Sequence, residues 1–405
     1  MRSFLPLFVW GALLRGQILI QGVYVHGGAV SPENPVDILI IGDTIAAVGA
    51  NLPAASGYTL VDGRGLHAYP GLIALSTPTG LVEIEAVRAT RDNAEVGDYN
   101  PNALAYTAFN VDSRVLPTLL ANGILYAEAA PQGSIIAGQS ALFRLMGRTR
   151  EEAAVLPQGA LYLYPPPLRP SAALSPEKQE KARKEALEAW ARLYKFLEKA
   201  ECWCRGDSGE QDLRYASLCS YLAGQRPVVI KATWAEDIEA ALALARRFGF
   251  RIGILDAKEA DKVAAQIKAA GAVVIIQRTH TLPLTEDSPW DASFTLPRRL
   301  LEKGIPVILA HESFWNQRNL AYQAGTAAAY GLSSEEALQL ITEAPAQWLG
   351  LSRLGRIAPG YKASFVLVEG DLLDPASSHI RHAWIEGKAV DLTANPQQIL
   401  YQRYK

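Results

Sequence analysis

The side chains best suited to chemistry stand directly after short apolar runs. An apolar run of three residues precedes His311 and Glu312, and an apolar run at residues 72–75 precedes the polar stretch 76–80. His280 also follows an apolar run closely. Histidine and glutamate can bind a metal ion or transfer a proton. The positions after these runs are therefore the first candidates for a functional site.

These runs belong to a longer alternation of strand and helix patterns. Between residues 212 and 345, β-branched runs at 228–230, 252–255, 273–276 and 307–309 alternate with helical stretches near 235–249, 258–270, 295–303 and 318–330. Strands separated by helices form parallel sheets. We therefore predict an α/β fold, a (β/α)8 TIM-like barrel, in which functional residues stand at the carboxyl ends of the strands.

The remaining chain shows other local patterns. Residues 17–66 are short apolar runs separated by glycines, and Gly42-Asp43 between two of them predicts a hairpin. The clearest helix covers residues 175–200, because Ser175 can cap it and Pro176 suits its first turn. Residues 201–211 are expected to form a loop, and residues 333–336 fit a capping box that opens another helix.

One stretch carries a family resemblance. Residues 69–81, YPGLIALSTPTGL, resemble the first barrel strand of the metal-dependent amidohydrolases, in their imidazolonepropionase-like branch. The branch pattern is Pro-Gly-(Leu/Phe)-Ile-Asp-x-His-x-His, and both histidines bind metal. Residues 70–73 fit this pattern, but Ala74 stands at the Asp position, and Ser76 and Pro78 stand at the two His positions. A prolyl side chain has no donor atom, and a neutral serine hydroxyl is a poor zinc ligand.

The resemblance continues on both sides of this stretch. It runs through residues 82–150 and returns at 354–368, LGRIAPGYKASFVLV, where Ser364 replaces an aspartate of the family. It implies a discontinuous small β-sandwich domain around an inserted barrel. We expect residues 17–68 plus 350–405 to form this composite domain, residues 69–349 to form the amidohydrolase-like (β/α)8 barrel, and residues 1–16 to be a signal peptide.

The resemblance also identifies where further metal ligands would stand. Active members hold one or two divalent metals, zinc or a similar ion, which activate a water molecule. Where the branch has His-Ala-His, this chain has Lys231-Ala232-Thr233. Asp256 and its neighbours supply no histidine where one is expected, and the family's final Asp is replaced by Ala310-His311-Glu312. Since tight binding needs several converging lone pairs, we expect no metal and no other cofactor.

The residual candidates have the following expected roles. Glu312, His311 and Lys231 are the candidates for catalysis, and none of them is compelling. His280, Lys231 and Asp256 are the candidates for substrate binding. Lys231 could replace the metal by pairing with Glu312 or Asp256; the alternative is that its side chain points to solvent.

Composition excludes some partners and leaves others open. The 405 residues carry a formal net charge of −2, which gives no electrostatic case for nucleic acid. The early apolar run near the N-terminus is too short to span a bilayer and predicts an exported or periplasmic protein, with a cytoplasmic one as the alternative. The three cysteines are expected to be packing or surface thiols.

Two functions therefore compete. The first is a pseudoenzyme of the amidohydrolase type that has lost metal-dependent hydrolysis and serves binding or assembly. Its partner would be an unknown small molecule or a related amidohydrolase subunit. The oligomeric state is left open. The alternative is an active hydrolase of non-peptide or dipeptide C–N bonds, of the cyclic amide type, that uses a non-standard site.

Overall fold

A computed structural model describes residues 16–28, 30, 32–206, 211–393 and 395–404. The segment predicted as a signal peptide lies outside these residues, apart from Gly16. In the described part of the chain, no helix has the length and apolar character needed to cross a bilayer.

The N-terminal strands form one half of a β sheet. They are β1 (Gln17–Val25), β2 (Val36–Ile41), β3 (Thr44–Gly49), β4 (Thr59–Asp62) and β5 (His67–Pro70). β1 pairs with β2 in antiparallel and with β4 and β5 in parallel. β2 and β3 form a hairpin that turns at Gly42-Asp43, which confirms the turn predicted there.

The central strands form two further sheets. They are β6 (Leu72–Thr77), β7 (Ile124–Ala129), β8 (Ile136–Gln139), β9 (Ala141–Arg144), β10 (Ala154–Leu156), β11 (Leu161–Leu163), β12 (Pro227–Ala232), β13 (Arg251–Asp256), β14 (Val273–Ile276) and β15 (Val307–Leu309). One sheet has the order β10-β9-β7-β6, and the other has the order β15-β14-β13-β12-β11-β8. From β11 to β15 all neighbours are parallel, as the alternation of strands and helices predicts.

The C-terminal strands return to the first sheet. They are β16 (Phe365–Glu369), β17 (His379–Ile385) and β18 (Lys388–Ala389), and β16 pairs in antiparallel with β5. A separate apolar cluster packs on this sheet and takes residues from both chain ends: Ile20, Val23, Val25, Ile38, Ile40, Ile45, Ala68, Ile357, Ala363, Phe365, Leu367 and Trp384. Both ends of the chain thus build one sheet. The exact domain limits stay a prediction.

Helices separate most of the central strands. They are α1 (Ala105–Ala108), α2 (Leu116–Leu120), α3 (Arg150–Ala153), α4 (Pro176–Cys204), α5 (Leu213–Leu222), α6 (Ala235–Phe248), α7 (Ala264–Ala269), α8 (Ala292–Glu302), α9 (Leu320–Ala329), α10 (Ser334–Gln339), α11 (Glu343–Trp348) and α12 (Pro396–Arg403). At the start of α10, Glu336 N donates to Ser333 Oγ and Ser333 N donates to Glu336 Oε2, which confirms the predicted capping box.

The two central sheets meet at two places. β8 and β9 are separated only by Ser140, and β8 lies in one sheet while β9 lies in the other. At the opposite seam, Leu309 N donates to Leu340 O and Ile73 N donates to Ile341 O, so the linker between α10 and α11 bridges β15 and β6. The mixed α/β class is confirmed, and these links are consistent with the predicted barrel.

The cysteine prediction is wrong for two of the three residues. Cys204 at the end of α4 and Cys219 in α5 form a disulfide, whereas Cys202 is an exposed free thiol. The predicted loop also begins later than expected, because α4 continues to Cys204.

Gly80, in the stretch after β6, offers a test of this packing. Its φ is +76°, and an added Cβ would lie 2.3 Å from the Phe109 ring. Gly249 is the matched control, because its φ is +70° and no atom lies within 4 Å of its added Cβ. We expect Gly249→Ala to lower the unfolding free energy by about 1–2 kcal/mol and Gly80→Ala to lower it by about 1–3 kcal/mol more, measured by urea denaturation. Equal losses would contradict the close packing of Phe109.

Candidate functional site at the strand ends

The carboxyl ends of the central strands surround a cavity of about 900 Å³. Its walls include residues at or just after the ends of β6, β11, β12, β14 and β15: Pro78, Tyr164, Lys231, Thr233, Gln277 and Glu312. Trp190, Trp234 and Phe314 add aromatic surface. Since residues past parallel strand ends converge in α/β folds, this cavity is the candidate site.

Lys231 projects into the cavity from β12. It is the one exposed residue of that strand, between the buried Ile230 and Ala232. Within the described residues its ammonium forms no ion pair and no hydrogen bond. The predicted pairing with Glu312 or Asp256 is therefore wrong.

Both predicted partners of Lys231 interact with other groups. Glu312 Oε1 lies 2.8 Å from Arg278 Nε, which forms an ion pair with it. Asp256 Oδ2 accepts a hydrogen bond of 2.7 Å from Thr233 Oγ1. Arg278 was missed in the sequence, although it stands two residues before His280 at a strand end.

His311 is a buried neutral side chain rather than an evident base. Its Nδ1 accepts a hydrogen bond of 3.0 Å from Ser313 N, and burial lowers the pKa of its imidazole. Glu312 Oε2 lies 3.6 Å from the same Nδ1, beyond hydrogen-bond distance. Glu312 lines the cavity, but His311 is not among its lining residues.

Two residues predicted to bind substrate lie elsewhere. His280 is exposed in a separate groove beside Tyr322 and Asp374, where its Nε2 lies 2.5 Å from Thr326 Oγ1. Asp256 lines a neighbouring small cavity of about 120 Å³. Asp256 and His280 thus line cavities other than the one that Lys231 lines.

Near the cavity, a buried carboxyl group connects three strands and the residue between β8 and β9. Glu128 of β7 is fully buried, and its Oε2 accepts from Ser76 N at 3.1 Å and from the Tyr162 hydroxyl at 2.7 Å. Its Oε1 accepts from Ser140 Oγ at 2.5 Å. Ser76 Oγ lies 2.7 Å from the Tyr162 oxygen. The predicted first ligand position is therefore occupied by a serine that belongs to a closed hydrogen-bond network.

The network has electrostatic and backbone consequences. Burial raises the pKa of the Glu128 carboxyl, and its hydrogen bonds from Ser140, Tyr162 and Ser76 only partly offset this rise. Ser76 has a φ of +55°, which is unfavourable for a residue with a Cβ. Asp256 and Ala257, after β13, have φ values of +76° and +45°. Strained backbone thus occurs at two strand ends where the resemblance places ligands.

The residues present do not fit a metal centre of the family type. Across the described ranges, no group of three or more His, Cys, Asp or Glu side chains is placed to hold a metal ion. The oxygens of Glu128 are already engaged by three donors. No metal-dependent step is derived for this chain.

The sequence contains a signal for Glu128 that the predicted site does not include. It is a single carboxyl residue inside the apolar run at 124–130, ILYAEAA. A buried acid in a strand needs several donors, and Tyr162 and Ser140 provide them. The partners could not be identified from spacing, because they lie on three different elements.

The buried Glu128 carboxyl leads to a prediction about how stability depends on pH. Its pKa is raised in the folded protein. The stability that its protonated form contributes is therefore fully present below the pKa of the unfolded state and is lost as pH rises through the pKa of the folded state. Glu128→Gln removes this titration. We expect the difference in unfolding free energy, variant minus wild type, to increase between pH 4 and pH 8, by at most about 1.4 kcal/mol per pH unit. Urea denaturation at several pH values measures it.

The control for this experiment is Glu180→Gln, which makes the same chemical change on an exposed face of α4. Its difference from wild type should stay nearly constant over the same pH range. A Glu128→Gln difference that is equally flat would show that the buried carboxyl has an ordinary pKa.

Comparison with known proteins supports one family. A sequence profile described as the amidohydrolase family matches residues 255–394. A solved amidohydrolase from Thermotoga maritima MSB8 superposes with a TM-score of 0.81 and is 23% identical, covering 92% of this chain and 99% of that chain. At this identity the likeness shows the fold alone.

Two curated relatives were also found. Adenine deaminase of Deinococcus radiodurans is 26% identical over 371 residues, 87% of this chain and 59% of that protein. Amidohydrolase tasK of Hapsidospora irregularis is 25% identical over 221 residues, 50% of this chain and 22% of that protein. The chain thus spans about three fifths of the length of the adenine deaminase and about a fifth of the length of amidohydrolase tasK. Residues 255–394 thus match the amidohydrolase family profile, and over most of its length the chain is similar in fold to an amidohydrolase.

Proposed function

We propose that this chain is an amidohydrolase-type protein that has lost metal-dependent hydrolysis and binds a small molecule in the cavity at the strand ends. The observation that carries the proposal is the occupancy of the expected ligand positions. Ser76 belongs to the Glu128 network, Pro78 has no donor atom, and Lys231 is a cation. A protonated lysine repels a divalent ion, so these positions oppose metal binding rather than merely weaken it.

The fold retains what a binding protein needs. The cavity of about 900 Å³ is large enough for a drug-sized molecule and combines aromatic walls with a few polar groups. In this proposal the two central sheets close into a (β/α)8 barrel of the imidazolonepropionase-like branch. A related amidohydrolase subunit, or a second copy of the chain, is the alternative partner.

An active hydrolase of C–N bonds with a non-standard site is the competing function. The relative named as adenine deaminase supports the general class. The geometry gives it less support, because His311 does not line the cavity and Glu312 is paired with Arg278. A base acting on a water molecule would need a free and accessible lone pair.

Metal content tests the two functions. Protein purified without chelators and without a metal-affinity step should contain far less than one zinc, manganese or iron per chain, and adding these ions should leave its melting temperature unchanged. Elemental analysis and thermal unfolding measure both quantities. Near-stoichiometric metal that is lost in the His311→Ala/Glu312→Ala double variant would refute the proposal, and hydrolysis of cyclic amides would then be assayed.

We also propose that the protein is exported to an oxidising compartment. The Cys204–Cys219 disulfide supports this location, because disulfides persist in oxidising compartments and are rare in most cytosolic proteins. The disulfide connects α4 to α5, which pack against each other beside the core.

Thiol titration tests the pairing. Under denaturing conditions without reductant, protein from an oxidising compartment should show one reactive thiol per chain, Cys202, and three after reduction. Reduction should also lower the melting temperature, because the cross-link restricts the unfolded chain. Three thiols before reduction, in protein isolated from its native compartment with thiols trapped by alkylation, would contradict the export proposal.

A further inference from the structure

We infer that the cavity at the strand ends recognises a small organic carboxylate that carries an aromatic or other flat apolar group, with Lys231 and Gln277 binding the carboxylate. This inference rests on the proposed binding function and specifies its ligand class. Two side chains that lack protein partners, and the charges around them, carry it.

Lys231 lies on the floor of the cavity beside Tyr164. β11 and β12 run in parallel with Tyr162 opposite Val229, so Tyr164 and Lys231 come two residues later on the same faces of their strands. Tyr162 points inward to Glu128, and both later residues line the cavity above it. By this register, Lys231 lies one layer beyond the buried network on the same face of the sheet.

Gln277 is the second unpartnered group. It follows β14, lines the same cavity and is only 8% exposed. In the described chain its side-chain amide forms no hydrogen bond, whereas the cavity-lining amides of Asn93 and Gln132 bond to each other. The amide of this largely buried residue is not among the enclosed polar atoms, so it is accessible to a molecule in the cavity.

The local environment of Lys231, rather than the overall charge of the cavity, favours an anion. The lining holds the acids Glu85, Asp237 and Glu312 and the bases Arg91 and Lys231. Asp237 accepts the Leu168 and Trp234 backbone N–H groups, and Glu312 pairs with Arg278. Within the described residues, no carboxylate therefore pairs directly with the Lys231 ammonium.

The walls indicate the size and nature of the rest of the ligand. Trp190 is fixed by a hydrogen bond from its Nε1 to Pro166 O, and Trp234 is held under the Arg169 guanidinium at 4.1 Å. Phe314 and Tyr164 extend this surface. A single ammonium with one amide suits the single charge of a carboxylate better than a phosphate dianion, for which clustered arginines or a helix N-terminus are usual. The aromatic rings suit a flat apolar body.

The experiment compares N-acetyltryptophan with N-acetyltryptophanamide, which share one ring system and differ in charge, with inorganic phosphate as a third probe. Calorimetric titration of the full-length protein should show the acid binding at least about tenfold more tightly than the amide, since hydrogen bonds to charged groups contribute about 1.5–3 kcal/mol. Phosphate should bind more weakly than the acid. Lys231→Met should abolish the preference for the acid, and Gln277→Leu should reduce it.

The matched control is Arg91→Met, which removes the same unit charge from the rim of the cavity. It should preserve most of the preference for the acid. Thermal unfolding of each variant without ligand establishes that it is folded. A preference that survives Lys231→Met in folded protein, or falls equally in Arg91→Met, would overturn the inference.

The remaining outcomes separate this inference from the proposed function. Equal binding of acid and amide would overturn the carboxylate assignment and leave small-molecule binding in place. Binding of neither probe would overturn the ligand class. Stoichiometric metal in the same preparation would instead overturn the proposed function.

Discussion

A carboxyl group without a cation lies where the two central sheets meet, and the arrangement of the strand ends depends on satisfying it. Glu128 collects donors from β6, from β11 and from Ser140, the residue at which the chain passes from one sheet to the other. Burying such a group costs several kcal/mol unless it is hydrogen-bonded, so all four positions are constrained together. The left-handed backbone of Ser76 is part of this constraint, because that conformation directs its N–H to Glu128.

This network also separates structure from binding. Within the network, both oxygens of Glu128 accept hydrogen bonds and the side chain is fully buried. Above it, Lys231 and Gln277 face an open cavity without partners, and the acids that could neutralise the lysine are held by Arg278 or by backbone N–H groups. Unpartnered polar side chains that face an open cavity are available to bind a ligand.

The sequence predicts the fold well where the signal is local. Apolar runs locate β12 to β15, the capping box locates α10, and helix-forming residues locate α4. It predicts the site only in part. The sequence positions of Pro78, Lys231 and Thr233 at strand ends predict that they line one cavity. The sequence does not predict that Asp256 and His280 line other cavities. Glu128 and the Cys204–Cys219 pair depend on contacts between distant elements, which no periodicity encodes.

The join between β5 and β6 has a mechanical consequence. Gly71 alone separates these strands, so residues 67–75 form a nearly continuous extended segment about 30 Å long, which ends at the left-handed Ser76. Its first half is held in the sheet built from both chain ends, and its second half leads to Ser76, which donates to the buried carboxyl. Because no loop separates the two halves, the sheet built from both chain ends and the Glu128 network constrain each other through this one segment.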